Sequence, residues 1–479
     1  MNKQSIYHMV HLDQVLSRLF YKFRLPVSLL SLVGAGFIAS SFYQKSTPPP
    51  KKPESMAVDN VLQWKIVADN LYYVKERKEL YLYVDLKASK AQKKSDRTPL
   101  NLSLVLDRSG SMNGDKIKYA REACKFVVDN LEPSDNLSIV VYDDQVDILT
   151  ASAPVKDKTA LKKLIDNVHD RGSTNLSGGM LEGYAQVHKT QQRNYVNRVL
   201  LLSDGLANQG ITDEKVLQQL ARQKNNEDNM TLSAFGVGAD FNELLMTNLA
   251  EYGSGNYYFI DSPDKIPSIF AKELQGLLSV IAQNTLLRIK FPSKNLSVNK
   301  MFGYQGQVKG DELVFDLKDV FSEEQKAILI KFTVTEPLTE DATFASMLTY
   351  DDVITFQRVN TSENTKLKVT TDKALFDRSF DKDVLQNIVL FETNERLENA
   401  MLEVDHGNFE GAKKMIITLK SEMEVQMKNL PANADLSRQY NTVMEYEKQI
   451  ENAKTMSSEE LKYNQKASRS SNYQIRKKK

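Results

Sequence analysis

Between residues 100 and 282 short apolar runs alternate with amphipathic stretches, and this rhythm limits the possible folds more than any other feature of the chain. Residues 100–106 are almost continuously apolar, as a strand buried on both faces must be. A helical period follows at 116–131, a strand at 137–142, and a short run at 146–150 that can return antiparallel at the sheet edge. Helices are expected at 158–168, 179–189, 213–224 and 242–251, and strands at 199–203, 232–237 and 256–260. A long amphipathic helix is expected over 263–282. Such alternation specifies an α/β fold with a doubly wound, mostly parallel sheet. Right-handed crossovers then bring the strand-to-helix loops to one rim, so residues far apart in sequence can meet there.

Five oxygen-bearing side chains occupy those loops: Asp107, Ser109 and Ser111 after the first strand, Thr174 before a helix, and Asp204 after the strand at 199–203. No Cys or His stands among them, which favours Mg²⁺, or Mn²⁺ or Ca²⁺, over zinc or copper. Taken singly, each residue type more often caps a helix or closes a turn. Asp115, Asp143, Asp144 and Asn175 are read in that way, with Asn175 helping to hold the Thr174 loop.

Asp-x-Ser-x-Ser at 107–111, followed by Thr174 and Asp204, resembles the von Willebrand factor A (VWA) domain with its metal-ion-dependent adhesion site, over residues 98–282. The resemblance implies direct coordination by Ser109, Ser111 and Thr174, with Asp107 and Asp204 acting mainly through water. It also implies a partner protein whose Asp or Glu carboxylate completes the coordination sphere. A shift of the Thr174 loop coupled to the helix at 263–282 would come with it.

Around this domain the pattern changes. Residues 283–375 lose the helical period and read as an antiparallel β-sandwich, with strands expected at 286–291, 312–317, 327–334, 343–350 and 366–370. Two further runs, 61–68 and 79–86, lie within 59–97 and cannot bury a face alone, so they are expected to pair with that sandwich. Residues 376–466 are helical, with a hairpin of 384–403 and 409–430 and a further helix at 436–453. The closing 467–479, rich in Lys and Arg, reads as a disordered basic tail. This layout is similar to bacterial proteins of the calcium-activated chloride channel-like group and to inter-α-trypsin-inhibitor-type and plant RING-associated proteins. No pore is implied by the first label, because there is a single candidate span.

That span is the uncharged, mostly apolar run 25–43, preceded by a segment (1–24) expected in the cytoplasm and followed by a Pro/Lys linker at 44–58. It reads as a signal anchor leaving the bulk of the chain extracytoplasmic, periplasmic or at the cell surface. The alternative is a signal peptide cut near Ala39, giving a secreted product. A net charge of +1 over 479 residues argues against nucleic acid as a partner. One cysteine, Cys124, permits no internal disulfide. There is no phosphate-cradling Gly-x-x-x-x-Gly-Lys motif, and the five histidines form no ligand-spaced pair. A metal-dependent phosphatase acting through Asp107 lacks an Asp-x-Asp core. The sequence therefore reads as a non-enzymatic, membrane-tethered binding protein. The alternative is an envelope assembly or scaffold factor that works through its sandwich and helices around a structural metal.

Overall fold

The computed structural model describes residues 60–91, 97–192, 194–453 and 455–478. The expected cytoplasmic segment, apolar span and linker all lie outside the described residues. Among the described residues no helix is long and apolar enough to cross a membrane.

The central element is the strand Leu100–Asp107, buried at every position. It stands third in a six-stranded sheet ordered Val146–Pro154, Asn136–Tyr142, Leu100–Asp107, Val196–Ser203, Thr231–Val237, Ser254–Ile260. All pairings are parallel except that of the edge strand Val146–Pro154. Side chains alternate along the strand as the pleat requires. Leu102, Leu104 and Leu106 enter one core with Ile117, Val127, Phe270 and Leu274, while Val105 enters the other with Met180, Tyr184 and Leu245. Helices therefore cover both faces, as the alternating sequence requires.

A β-sandwich follows. Its four-stranded antiparallel sheet runs Leu62–Ala68, Glu79–Ala88, Gln325–Val334, Leu296–Phe302. The early strand Glu79–Ala88 pairs with Gln325–Val334 from Glu79↔Thr333 to Lys87↔Gln325. The facing sheet is built on Glu312–Phe321, Val280–Lys290, Ala342–Asp352 and Gln357–Val369. Leu82, Val84, Leu287, Phe315, Ile330 and Phe344 share the core between them. The α/β domain is thus inserted between strands of the sandwich. The short strand Tyr72–Tyr73 joins an edge in parallel.

Two expectations are corrected. The helix expected to run to residue 282 ends at Leu277, and by Val280 the chain is already a strand. The run from Leu277 to Ala282 is apolar enough for either element, and pairing with Phe321, Val320 and Asp352 decides the matter. The basic tail is not disordered either: Ser458–Arg476 is one helix. Ser457 caps its first turn, and Asn472, Tyr473 and Ile475 are buried. Its charges find counter-charges remote in sequence. Arg469 bonds Glu398 and Asp405, Arg476 bonds Glu251, and Lys478 bonds Asp435. This helix closes an α-helical region with Lys382–Asp405, Phe409–Asn429 and Ala434–Asn452, whose shared core includes Leu397, Ile416, Leu419 and Tyr446. Val384 and Phe391 pack this region on the sandwich against Tyr83, Phe302 and Leu329.

Candidate metal centre

Asp107 is the last residue of its strand and is fully buried. One carboxylate oxygen accepts from the Ser109 backbone N–H at 2.8 Å, which folds the loop back on itself. The other accepts from Ser203 Oγ at 2.6 Å. Burial pushes the Asp107 carboxyl up to about 6, against the hydrogen bonds from Ser109 and Ser203. A single 3-10 turn, Gly110–Met112, then carries Ser111 round so that its Oγ lies 3.0 Å from Ser109 Oγ.

Asp204 follows the strand Val196–Ser203 and is buried. It accepts from Ser111 Oγ at 2.7 Å and from the Lys116 ammonium at 2.5 Å. Gly205 gives the room for this convergence. A methyl group built on it would stand 3.3 Å from Thr174 Oγ1 and 3.6 Å from Ser111 Oγ. Thr174 therefore reaches the same place from a third loop. Its own backbone is held on both sides, N–H to Asn208 Oδ1 at 3.0 Å and C=O from the N–H groups of Asn208 and Gln209 at 3.2 Å. Gly110 N–H bonds Gly172 C=O at 3.1 Å and joins the first loop to the third. The five residues singled out in the sequence thus come together at one rim.

Asn175 does not enter the cluster. Its side chain caps the helix Leu176–Lys189 through Gly178 N–H, and its own N–H bonds Asp143 C=O. Asp143 is a bracing residue too. Burial alone would raise its carboxyl, but Arg171, the Gln145 N–H and Arg108 hold it below the usual range. Arg108 and Arg171 both bond Asp143 and Asp147, tying three loops behind the cluster. Sequence reasoning missed Arg108, Ser203 and Lys116. Arg108 and Ser203 sit inside the motifs, at positions read as spacers. Lys116 lies in the first turn of the helix Asp115–Asn130 and gives no local sign of reaching Asp204.

The donor set is two carboxylates and three hydroxyls, suited to a hard divalent cation. Among the described residues there is no group of three or more His, Cys, Asp or Glu placed to hold a metal. A carboxylate-rich or nitrogen–sulfur site is therefore not what these loops build. Lys116 stands where it offsets the charge of Asp204, and a bound cation would have to compete with it.

Residues 101–272 match the von Willebrand factor type A domain family. YfbK of Escherichia coli is 32% identical over 227 residues, 47% of this chain and 39% of that protein. Mouse inter-alpha-trypsin inhibitor heavy chain H3 is 26% identical over 228 residues, 45% of this chain and 25% of that protein. The chain therefore spans well under two thirds of either relative. Among solved structures, a von Willebrand factor type A protein from Catenulispora acidiphila superposes with TM-score 0.62 at 16% identity, covering 76% of this chain and 88% of that one. This likeness covers more of the chain than residues 101–272 and shows shared fold alone.

Proposed function

From a chain that carries a von Willebrand factor type A domain, we infer a non-enzymatic, membrane-tethered extracytoplasmic protein that binds an acidic group of a protein partner through a divalent cation. The observation that carries this reading is the meeting of Ser109, Ser111, Thr174, Asp107 and Asp204 from three separate loops. Ser109, Ser111 and Thr174 offer neutral hydroxyls, and Asp107 and Asp204 supply the negative charge. When bound, the cation supplies an electrophilic position that a carboxylate of the partner can fill. The chain's own part is to hold those oxygens still. Ser203 fixes Asp107, the Asn208 loop fixes Thr174, and the Arg108–Asp143–Arg171 brace fixes the loops behind them. The tether rests on the apolar run 25–43 alone.

A second reading, a scaffold with a structural metal, draws support from how firmly the domain is joined to the rest. Arg198 within its sheet pairs with Asp319 of the sandwich at 3.3 Å, and the last helix packs on its edge strand. Asp204→Ala separates the two. Loss of metal-dependent partner binding with unchanged circular dichroism supports the first, and loss of the fold supports the second.

The direct test is calorimetric titration of the full chain in detergent with Mg²⁺ and with Mn²⁺, beside Asp107→Ala. Saturable one-site binding that the variant loses is expected. An absence of saturable binding by the unaltered chain overturns the reading.

A further inference from the structure

Three parts of the chain enclose one cavity of about 370 Å³. Helix Glu243–Tyr252 of the α/β domain forms one wall, and the end of strand Leu296–Phe302 with the loop to Gln305 forms a second. Helices Lys382–Asp405 and Ser458–Arg476 supply the rest. A space of that size accepts a small molecule. It is separate from the metal rim, since none of the five candidate ligands lines it.

The charge of this lining is unbalanced. Five carboxylates face three cations, and each cation is already set against a carboxylate. Lys300 pairs with Glu395 and Arg476 with Glu251. Arg469 is divided among Glu398, Asp405 and Glu243. Glu243 receives the smallest share. Its side chain is 5% exposed, and one carboxylate oxygen accepts from Tyr257 OH at 3.0 Å. The other accepts no hydrogen bond, and Arg469 stands 3.6 Å from it, too far for one. Lys466, the other cation near this carboxylate, donates to Phe241 C=O. A buried carboxylate oxygen without a donor is costly until something supplies one.

The rest of the lining selects the donor. Phe302 and Phe391, with ring centroids 6.1 Å apart, and Tyr257 and Tyr473 bring aromatic surface to the cavity. Such surface attracts a cation and shelters an alkyl chain. A divalent metal needs several oxygens converging on one point. Among the described residues, no group of three or more His, Cys, Asp or Glu is placed to hold one. An anion would meet the surplus of carboxylate. An organic cation that carries N–H groups satisfies all of these features.

We propose that this cavity binds a small alkylammonium ligand, a primary amine or diamine, whose N–H groups bond Glu243 while its chain lies against Phe302 and Phe391. Glu398 and Asp405, each with a side chain 39% exposed, offer a place for a second ammonium. Burial raises the Glu243 carboxyl to about 7 and Glu398 adds to the rise, against Arg469, Lys466 and Tyr257. An ammonium beside it favours the ionised form, and alkylamines stay protonated up to about pH 10. Binding should therefore strengthen by about tenfold between pH 6 and pH 8.

The test is calorimetric titration of the full chain, in detergent and chelator, with 1,4-diaminobutane and with choline, whose quaternary nitrogen has no N–H. Glu243→Gln removes the charge, and Asn399→Arg sets a cation at an exposed position of the lining. Glu363→Gln, on the exposed face of strand Gln357–Val369, removes a carboxylate from the other sheet of the sandwich. Saturable binding of the diamine is expected, weakened by about tenfold or more in the first two variants and unchanged in the third, with choline bound more weakly. No saturable binding by the unaltered chain overturns the proposal. So does equal binding of choline, or an affinity that neither Glu243→Gln nor Asn399→Arg alters.

Discussion

Two buried polar clusters in the parallel-sheet domain are built to opposite rules. Glu273 is bonded from within the fold by Arg198 at 2.9 Å, Ser233 at 2.6 Å, Asn256 at 2.7 Å and Tyr258 at 2.9 Å. Its charge is balanced by a guanidinium that is itself only 2% exposed. At the rim that gathers the five candidate ligands, buried Asp107 is held by the Ser109 N–H and by hydroxyls, and Asp204 by Ser111 and a lysine whose side chain is 27% exposed. The first cluster is closed and holds domain and sandwich together through Asp319. The second has less internal counter-charge, and a bound divalent cation of the kind proposed above would supply it. Glu243 lies between the extremes, buried with Tyr257 OH at 3.0 Å and Arg469 at 3.6 Å.

If that contrast is right, the closed cluster should be the most expensive to break. Glu273→Ala leaves Arg198 without its main counter-charge and is expected to cost about 3–5 kcal/mol in urea unfolding. A loss below about 1 kcal/mol would mean that Asp319 alone satisfies Arg198. Glu243 should show an intermediate effect, seen through pH. Burial raises its carboxyl to about 7, against Arg469, Lys466 and Tyr257. A folded-state value above the unfolded one means that the protonated form is preferred in the fold. Its contribution is present below pH 4.5 and is lost as pH rises through 7. Relative to the unaltered chain, Glu243→Gln should therefore gain stability between pH 4.5 and 7, by up to about 3 kcal/mol. A flat difference over that range would contradict the assignment.

The rim cluster should respond in binding and not in folding. Asp204→Ala is expected to weaken Mg²⁺ by about a hundredfold, ~2.7 kcal/mol, with unfolding in chelator little changed. Lys116→Met removes the cation that a metal must compete with. Calorimetry should show Mg²⁺ binding about tenfold tighter, ~1.4 kcal/mol, with the gain shrinking as salt rises. Weaker binding would make Lys116 a support of the site and not a competitor.

What could be read in the sequence divides along the same line between local and distant. Strand Leu100–Asp107 and its neighbours announce themselves because burial on both faces forces an unbroken apolar run. Asp107, Ser109, Ser111, Thr174 and Asp204 are legible because each sits where a strand or loop opens toward a helix. Lys116 is not, since a lysine in the first turn of a helix looks like any solvated charge. Strand Leu296–Phe302 was missed because its burial pattern, with only its ends buried, leaves little alternation. The closing helix was misread for a related reason. Its arginines and lysines suggest solvent, and the partners that bury them, Glu251, Glu398 and Asp435, lie far back along the chain.

That closing helix also bears on the order of synthesis. Strand Ser254–Ile260 is the last of its sheet, an edge with one unpaired side. Tyr473 covers it, with its hydroxyl accepting the Tyr257 N–H at 3.3 Å and its ring 5.6 Å from the Tyr257 ring, edge-on at 88°. A nascent chain emerges from the ribosome with this edge bare until the final turns of Ser458–Arg476 follow. Loss of the final turns of that helix would therefore leave the α/β domain with all its strands and a sticky margin open to its neighbours.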